Sequence, residues 1–145
     1  MSEYNNILVA VDLTDESNIV VDKARQLAKL YAGQLSLVHV MEPIAGGYAV
    51  EVTSVDIEGL HQEAAKHARS SLLTLGGNLD IPQHRLYNLL GQPAREIREL
   101  AKEIKADLIV MGGHGKHGWE LLFGSTSSEV SHGTNCDLLI VRLPD

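Results

Sequence analysis

The chain holds a single cysteine, Cys136, among its 145 residues. An internal disulfide is therefore excluded, and a reducing compartment is the expected setting. Long apolar runs are also missing. Stretches such as Ile7–Val11 and Leu138–Val141 fall far short of the ~20 residues that cross a bilayer, so no membrane role is expected. The first residues, Met1–Asn6, are acidic and polar and carry no secretory signal, which points to the cytoplasm. Clusters of cations are absent too: the 12 Lys and Arg are scattered along the chain, against 19 Asp and Glu, for a formal charge of −7. A sequence-independent nucleic-acid binder needs a basic face to release counterions, so that class is excluded. Any phosphate bound here would have to be drawn mainly by backbone N–H groups.

What is present is ordinary globular usage, 44% hydrophobic and 21% charged, which excludes disorder. A mass of 15.8 kDa fits one domain over residues 1–145, with no linker and no internal repeat. Ile7–Val11 is an unbroken apolar run ending at Asp12, as expected of a strand buried on both faces. Thr14-Asp15-Glu16-Ser17 offers capping oxygens and first-turn acids for a helix carried by Val20, Ala24, Leu27, Ala28 and Tyr31 and stopped by Gly33. Leu35–Met41 reads as a second strand and Glu42–Ser54 as a loop. Ile57, Leu60, Ala64, Ala68 and Leu72 mark a second helix, ended by Gly76-Gly77. His84–Leu90 is the expected third strand, closed by Gly91. Pro93 suits the first turn of a third helix with Ile97, Leu100, Ala101 and Ile104 inward. Asp107–Met111 is a fourth strand, Gly112–Gly124 a glycine-rich loop, Ser125–Ser131 the opening of a short fourth helix, and Asp137–Leu143 a fifth strand.

Strands alternating with helices in this way predict an α/β fold, an open and mostly parallel five-stranded sheet with right-handed crossovers and helices on both faces. The expected strand order is 3-2-1-4-5, a Rossmann-like arrangement. Chain direction then reverses between strands 1 and 4, and a crevice opens at their carboxyl ends. The loops Asp12–Asp15 and Gly112–Gly124 meet there.

The glycines of Met111-Gly112-Gly113-His114-Gly115-Lys116-His117-Gly118 would let the backbone approach a phosphate with no Cβ in the way. Ser125 and Thr126 open a helix whose free N–H groups attract anions, and Lys116 adds a point charge. A long loop also needs glycines merely to turn. Gly113-x-Gly115-x-x-Gly118 matches a dinucleotide fingerprint in letters only. Several residues intervene before the helix, and Asp137 begins the next strand rather than ending it. No P-loop is present.

The series Ile7-Leu8-Val9-Ala10-Val11-Asp12, Leu37-Val38-His39-Val40, Asp107-Leu108-Ile109-Val110-Met111-Gly112, Gly124-Ser125 and Leu138-Leu139-Ile140-Val141 resembles the universal stress proteins over essentially the whole chain. The resemblance implies the 3-2-1-4-5 sheet and a homodimer, in many members paired through the last strand, here residues 137–143. Pairing would also protect an apolar edge strand. It implies ATP or AMP binding through G-x2-G-x9-G-[ST]. Gly112, Gly115, Gly124 and Ser125 fall on that pattern, with Met111 leading into it, but only eight residues separate Gly115 from Gly124. Keeping nine places Ser125 and Thr126 at the last two positions instead. The resemblance also assigns Asp12 to the ribose–phosphate region and to Mg²⁺ held with the nucleotide, and the backbones of Ala10 and Val40 to the adenine. Ala10-Val11-Asp12-Leu13 and Trp119 in the shortened loop resemble the branch typified by universal stress protein A, where the glycine pattern is degraded and tight ATP binding is not expected.

Other constellations read more plainly. His114, His117, His132 and Cys136 lack a recognised zinc spacing. His39, inside a strand, reads as a hydrogen-bonded core histidine. Cys136 has no cations beside it in sequence and reads as inert. Ser125–Ser128 are capping hydroxyls or phosphoacceptors. Asp12 has no second acid or arginine at an evident spacing, so efficient phosphoryl transfer is not expected. Three readings remain: a dimeric stress-response regulator that binds ATP or AMP; a slow ATPase or self-phosphorylating protein; and a nucleotide-free dimer meeting an unidentified protein partner through Trp119 and Phe123.

Overall fold

The computed structural model describes residues 3–43, 56–113, 126 and 128–144. Strand β1 (Asn6–Ala10) occupies the middle of a five-stranded sheet of order β3-β2-β1-β4-β5. Its neighbours are β2 (Gln34–Met41) and β4 (Leu108–Gly113), with β3 (Leu86–Leu90) and β5 (Asp137–Arg142) at the edges. Every pairing is parallel, and β1 is in register with both partners, Val9 opposite Leu37 on one side and Val110 on the other. The expected topology is the observed one.

Helices α1 (Ser17–Tyr31), α2 (Ile57–Asn78), α3 (Pro93–Glu103) and α4 (Ser128–Gly133) divide between the two faces. Ile7, Val9, Leu37 and Val110 pack with Val20, Val21 and Ala24 of α1 and Leu72 of α2. Leu8, Val38, Ile109 and Met111 pack on the other face with Ala94, Ile97 and Leu100 of α3 and Val130 of α4. This division follows from the strand order. The steps β1→β2→β3 run one way across the sheet and β3→β4→β5 the other, and a right-handed crossover puts the helices of opposite steps on opposite faces.

Several boundaries differ from the expectations. Strand β3 begins at Leu86 rather than His84, because Gln83–Arg85 form a 3₁₀ turn closed by Arg85 N–H donating to the Pro82 carbonyl. Gly76 and Gly77 do not end α2; they lie within it. Gly76 is packed beneath Leu86, where a Cβ would come within 2.7 Å of its methyls. Chain reversal falls instead on Asp80, at φ 58°. Strand β4 runs on through Gly112 and Gly113, paired with Val141 and Arg142, so Gly112 is a buried strand residue rather than the first residue of a loop. Strand β5 stops at Arg142 instead of Leu143, and the described part of the last helix begins at Ser128. The calls on residues 44–55, and on Ser125 as a helix opener, lie outside the described residues.

The amino-terminal segment is tied to the ends of two strands. Asp107 Oδ2 accepts from the N–H groups of Asn5 and Asn6 at 2.8 and 2.9 Å. The Tyr4 hydroxyl donates to Asp137 at 2.6 Å, and its ring meets Tyr31 edge-on, with centroids 5.1 Å apart. That hydrogen bond, helped by desolvation and the carboxylate's charge, pushes the Tyr4 phenol up to about 12, since ionisation would turn the donor into an anion facing another.

The end of α1 separates two roles often given to one glycine. Ala32 takes the left-handed C-cap position at φ 55°, and Gly33 follows, donating its N–H to the Ala28 carbonyl. Glycine is needed at 33 for close approach: a Cβ there would collide with the Tyr4 carbonyl oxygen. The two residues should therefore respond oppositely in thermal unfolding. Ala32→Gly should stabilise by about 0.5–1 kcal/mol, the left-handed penalty of a Cβ less glycine's extra chain entropy. Gly33→Ala should destabilise by about 1–3 kcal/mol through overpacking.

Candidate functional site

Helix α1 follows β1 on one face of the sheet, and α4 follows β4 on the other. Between the two strand ends lies a crevice of about 330 Å³, within the size range of small-molecule sites. Its floor is the carboxyl ends of three strands: Ala10 and Val11, Val38 and Val40, and Met111 and Gly112. Val20, Ile97 and Leu143 add apolar walls, whereas Asp12, Glu16, Ser17, His39, Glu42 and Thr126 bring polar groups.

The turn from β1 into α1 is organised by Asp12. Its Oδ1 accepts from the Thr14 N–H at 3.0 Å, the Thr14 hydroxyl at 2.7 Å and the Ser17 hydroxyl at 2.9 Å. Leu13, held at φ 63°, sits inside this turn in a conformation that a branched side chain seldom adopts. The expectation that Thr14–Ser17 would themselves cap α1 is not met. Glu16 is the N-cap and makes no side-chain cap bond, while the Thr14 and Ser17 hydroxyls serve Asp12. Strain and hydrogen bonds together fix the carboxylate at the crevice mouth.

His39 behaves as a hydrogen-bonded histidine, half-buried, with Nδ1 3.0 Å from Asn88 Oδ1. Asn88 Nδ2 in turn reaches the Ala65 carbonyl at 3.4 Å.

Among the described lining residues, every charged side chain is a carboxylate: Asp12, Glu16 and Glu42. Among the described residues, no group of three or more His, Cys, Asp or Glu is placed to hold a metal. A cation here would have to be shared between a few carboxylates and an anionic ligand. His114 and His117 lie outside the described residues.

Of the positions singled out from the sequence, Ala10, Asp12, Val40, Met111, Gly112 and Thr126 line this one crevice. Gly115, Lys116, Gly124 and Ser125 lie outside the described residues, as do Trp119 and Phe123. Gly112 has a packing role besides: a Cβ would come within 2.9 Å of both Val20 and Leu143. Glu16, Glu42, Ile97 and Leu143 line the crevice without having been singled out. Glu42 directly follows the carboxyl end of β2, so its position beside the switch point was readable from the topology. Leu143 was not, because its approach depends on how the chain turns beyond β5.

A sequence profile described as the universal stress protein family matches residues 3–142. Universal stress protein A homolog 1 of Coxiella burnetii is 35% identical over 142 residues, covering 98% of this chain and 99% of that protein. Among solved structures, the universal stress protein UspA from Lactobacillus plantarum superposes with a TM-score of 0.77 at 24% identity, over 98% of this chain and 100% of that one. A universal stress protein in complex with cAMP superposes with a TM-score of 0.56 at 26% identity, over 95% and 96%.

The arrangement around Asp12 makes a stability prediction independent of any ligand. Asp12→Ala deprives one N–H and two hydroxyls of their acceptor and should lower the urea unfolding free energy by about 1–2 kcal/mol. Asp12→Asn keeps a carbonyl oxygen in place and should cost less than half as much.

Proposed function

We propose that this chain, which belongs to the universal stress protein family, binds an adenine nucleotide, ATP or AMP, in the crevice between β1 and β4. The observation that carries the reading is the division of that crevice into an apolar floor and a carboxylate mouth. Ala10, Val40 and Met111 offer backbone groups and a flat apolar surface suited to a purine. Asp12 and Glu16 stand where the ribose and phosphates would lie. Two carboxylates repel a bare polyphosphate, so ATP would enter as its Mg²⁺ complex, with Asp12 among the ligands and the phosphates completing the coordination. AMP, with less charge, depends less on the metal. The relative solved with cAMP supports the chemical class of ligand. The main-chain N–H groups and Lys116 of the glycine-rich segment remain the proposed phosphate contacts, with Gly115, Gly124 and Ser125.

The proposed role is regulatory and cytoplasmic, with occupancy of the crevice changing a surface read by a protein partner. Among the described residues, no helix is long and apolar enough to cross a membrane. A homodimer through β5 is part of the proposal. β5 is an edge strand hydrogen-bonded to β4, and its Leu138, Leu139 and Ile140 are only half-buried within one chain, so a second copy would cover both backbone and side chains.

Calorimetric titration with AMP and with Mg·ATP tests the reading, with light scattering on the same sample. Saturable binding of one nucleotide per chain is expected, from a particle of twice the 15.8 kDa chain mass. Asp12→Asn should weaken Mg·ATP by about tenfold, the worth of one charged ligand, and AMP by much less. Absence of saturation by either nucleotide at millimolar concentration would refute the proposal in favour of a nucleotide-free interaction protein.

A further inference from the structure

A second cavity, of about 190 Å³, lies at the opposite end of the sheet. One wall is the carboxyl half of helix α3, which contributes Arg98 and Lys102, continued by Lys105 just beyond the helix end. Arg98 and Lys102, four residues apart, share a stripe of the helix, and Lys105 follows its cap at φ 58°. The other wall is the chain from Gly133 to Cys136, which joins α4 to β5. The Lys and Arg residues are scattered along the sequence, yet the fold gathers three of the 12 around one small space. The reading of Cys136 as a thiol without cations near it changes accordingly, because the cations come from a segment 31 or more residues earlier in the chain.

The cavity has the features of a built site. Arg98 is half-buried and fixed: its Nη1 donates to the Glu129 carbonyl at 2.8 Å, and its side chain lies so close over Gly133 that a Cβ there would overlap it. Among the described residues, none of Arg98, Lys102 and Lys105 makes an ion pair, and the one ion pair described on α3 is Arg95–Glu96, at 3.7 Å. The lining holds no carboxylate. Asp107 and Asp137, nearby in sequence, are engaged by the amides of Asn5 and Asn6 and by the Tyr4 hydroxyl. Thr134 Oγ1 accepts from the Cys136 N–H at 3.2 Å and lies 3.2 Å from Cys136 Sγ, so a hydroxyl and a thiol face each other at the wall.

Three cations line this one cavity with no carboxylate among its lining, in a chain whose formal charge is −7. We propose that this cavity binds a small multivalent oxyanion, a phosphoryl-sized group, at a site distinct from the nucleotide crevice. The guanidinium fork of Arg98 suits two oxygens at once, while Lys102 and Lys105 add flexible point charges. The volume is below that of ordinary ligand pockets, about 300–1,000 Å³, so it takes the charged group and little of what is attached. The six-residue strands β4 and β5 separate the two sites by about 20 Å. Free phosphate and a phosphomonoester share the required chemistry.

Cys136 is the chain's single cysteine, so thiol chemistry reports on this cavity alone. The intact protein is reacted with an anionic aromatic disulfide and with a neutral dithiodipyridine, at fixed ionic strength, across a range of inorganic pyrophosphate concentrations. Pyrophosphate should slow the anionic reagent at Cys136 saturably, by about tenfold, and the neutral reagent less. Lys102 and Lys105 are exposed, so Lys102→Gln/Lys105→Gln should fold normally, as circular dichroism would show, while the protection midpoint rises about tenfold or more. Titrations with orthophosphate and with glycerol phosphate then identify the source, the tighter of the two marking a free ion or an ester. Protection that does not saturate, or that is the same in the double variant, would overturn the proposal.

Discussion

Burial of β1 on both faces and both edges is the constraint from which the molecule follows. Ile7, Leu8 and Val9 are wholly excluded from solvent, and each backbone ladder of the strand is satisfied by a parallel neighbour. A strand so placed cannot be moved without exposing both cores. Parallel pairing on either side forbids short hairpins and forces helical crossovers. Because those crossovers share one hand, the chain must leave β1 and β4 toward opposite faces. The crevice is thus not an added feature. It is the gap that this connectivity leaves at the carboxyl ends of the central pair.

The charge pattern sets what the two cavities can take. At the carboxyl ends of the strands the described charges are acidic, with Asp12 locked into its turn by three donors. At the amino end of β5 the charges lining the cavity are basic. The acidic end suits the proposed metal-bearing or weakly charged ligand, and the basic end the proposed compact anion. Helix α3 contributes to both, with Pro93 and Ile97 at the crevice and Arg98 and Lys102 at the basic cavity, where Lys105 joins them from just beyond its end.

Much of the fold was legible in the sequence because its signals are local and redundant. Ile7–Val11 and Leu108–Met111 are apolar without alternation, which suits central parallel strands, and the α3 residues Ile97, Leu100 and Ala101 recur at helical spacing. The alternation of these elements pointed to a doubly wound parallel sheet, and the family resemblance implied its 3-2-1-4-5 order. Glycines misled where packing rather than turning required them. Gly76 makes room for Leu86, Gly112 for Val20 and Leu143, and Gly33 for the Tyr4 carbonyl, and none of these contacts is visible along the chain. Half of the candidate site was legible for the same local reasons: Ala10, Asp12, Val40 and Met111 all sit at strand ends. Glu42, directly after β2, was readable from the topology, whereas Glu16 was missed because its place depends on how the turn from β1 into α1 folds. The basic cavity was missed because its cations and its thiol come from separate elements.

A crystal structure of the protein grown with Mg·ATP tests the central claim most directly, that the connectivity around β1 makes a nucleotide site. The account predicts the base against the backbones of Ala10 and Val40, beside Met111, with the metal at the Asp12 carboxylate. A nucleotide lodged elsewhere on the molecule, or a crevice filled by the protein's own chain, would contradict it.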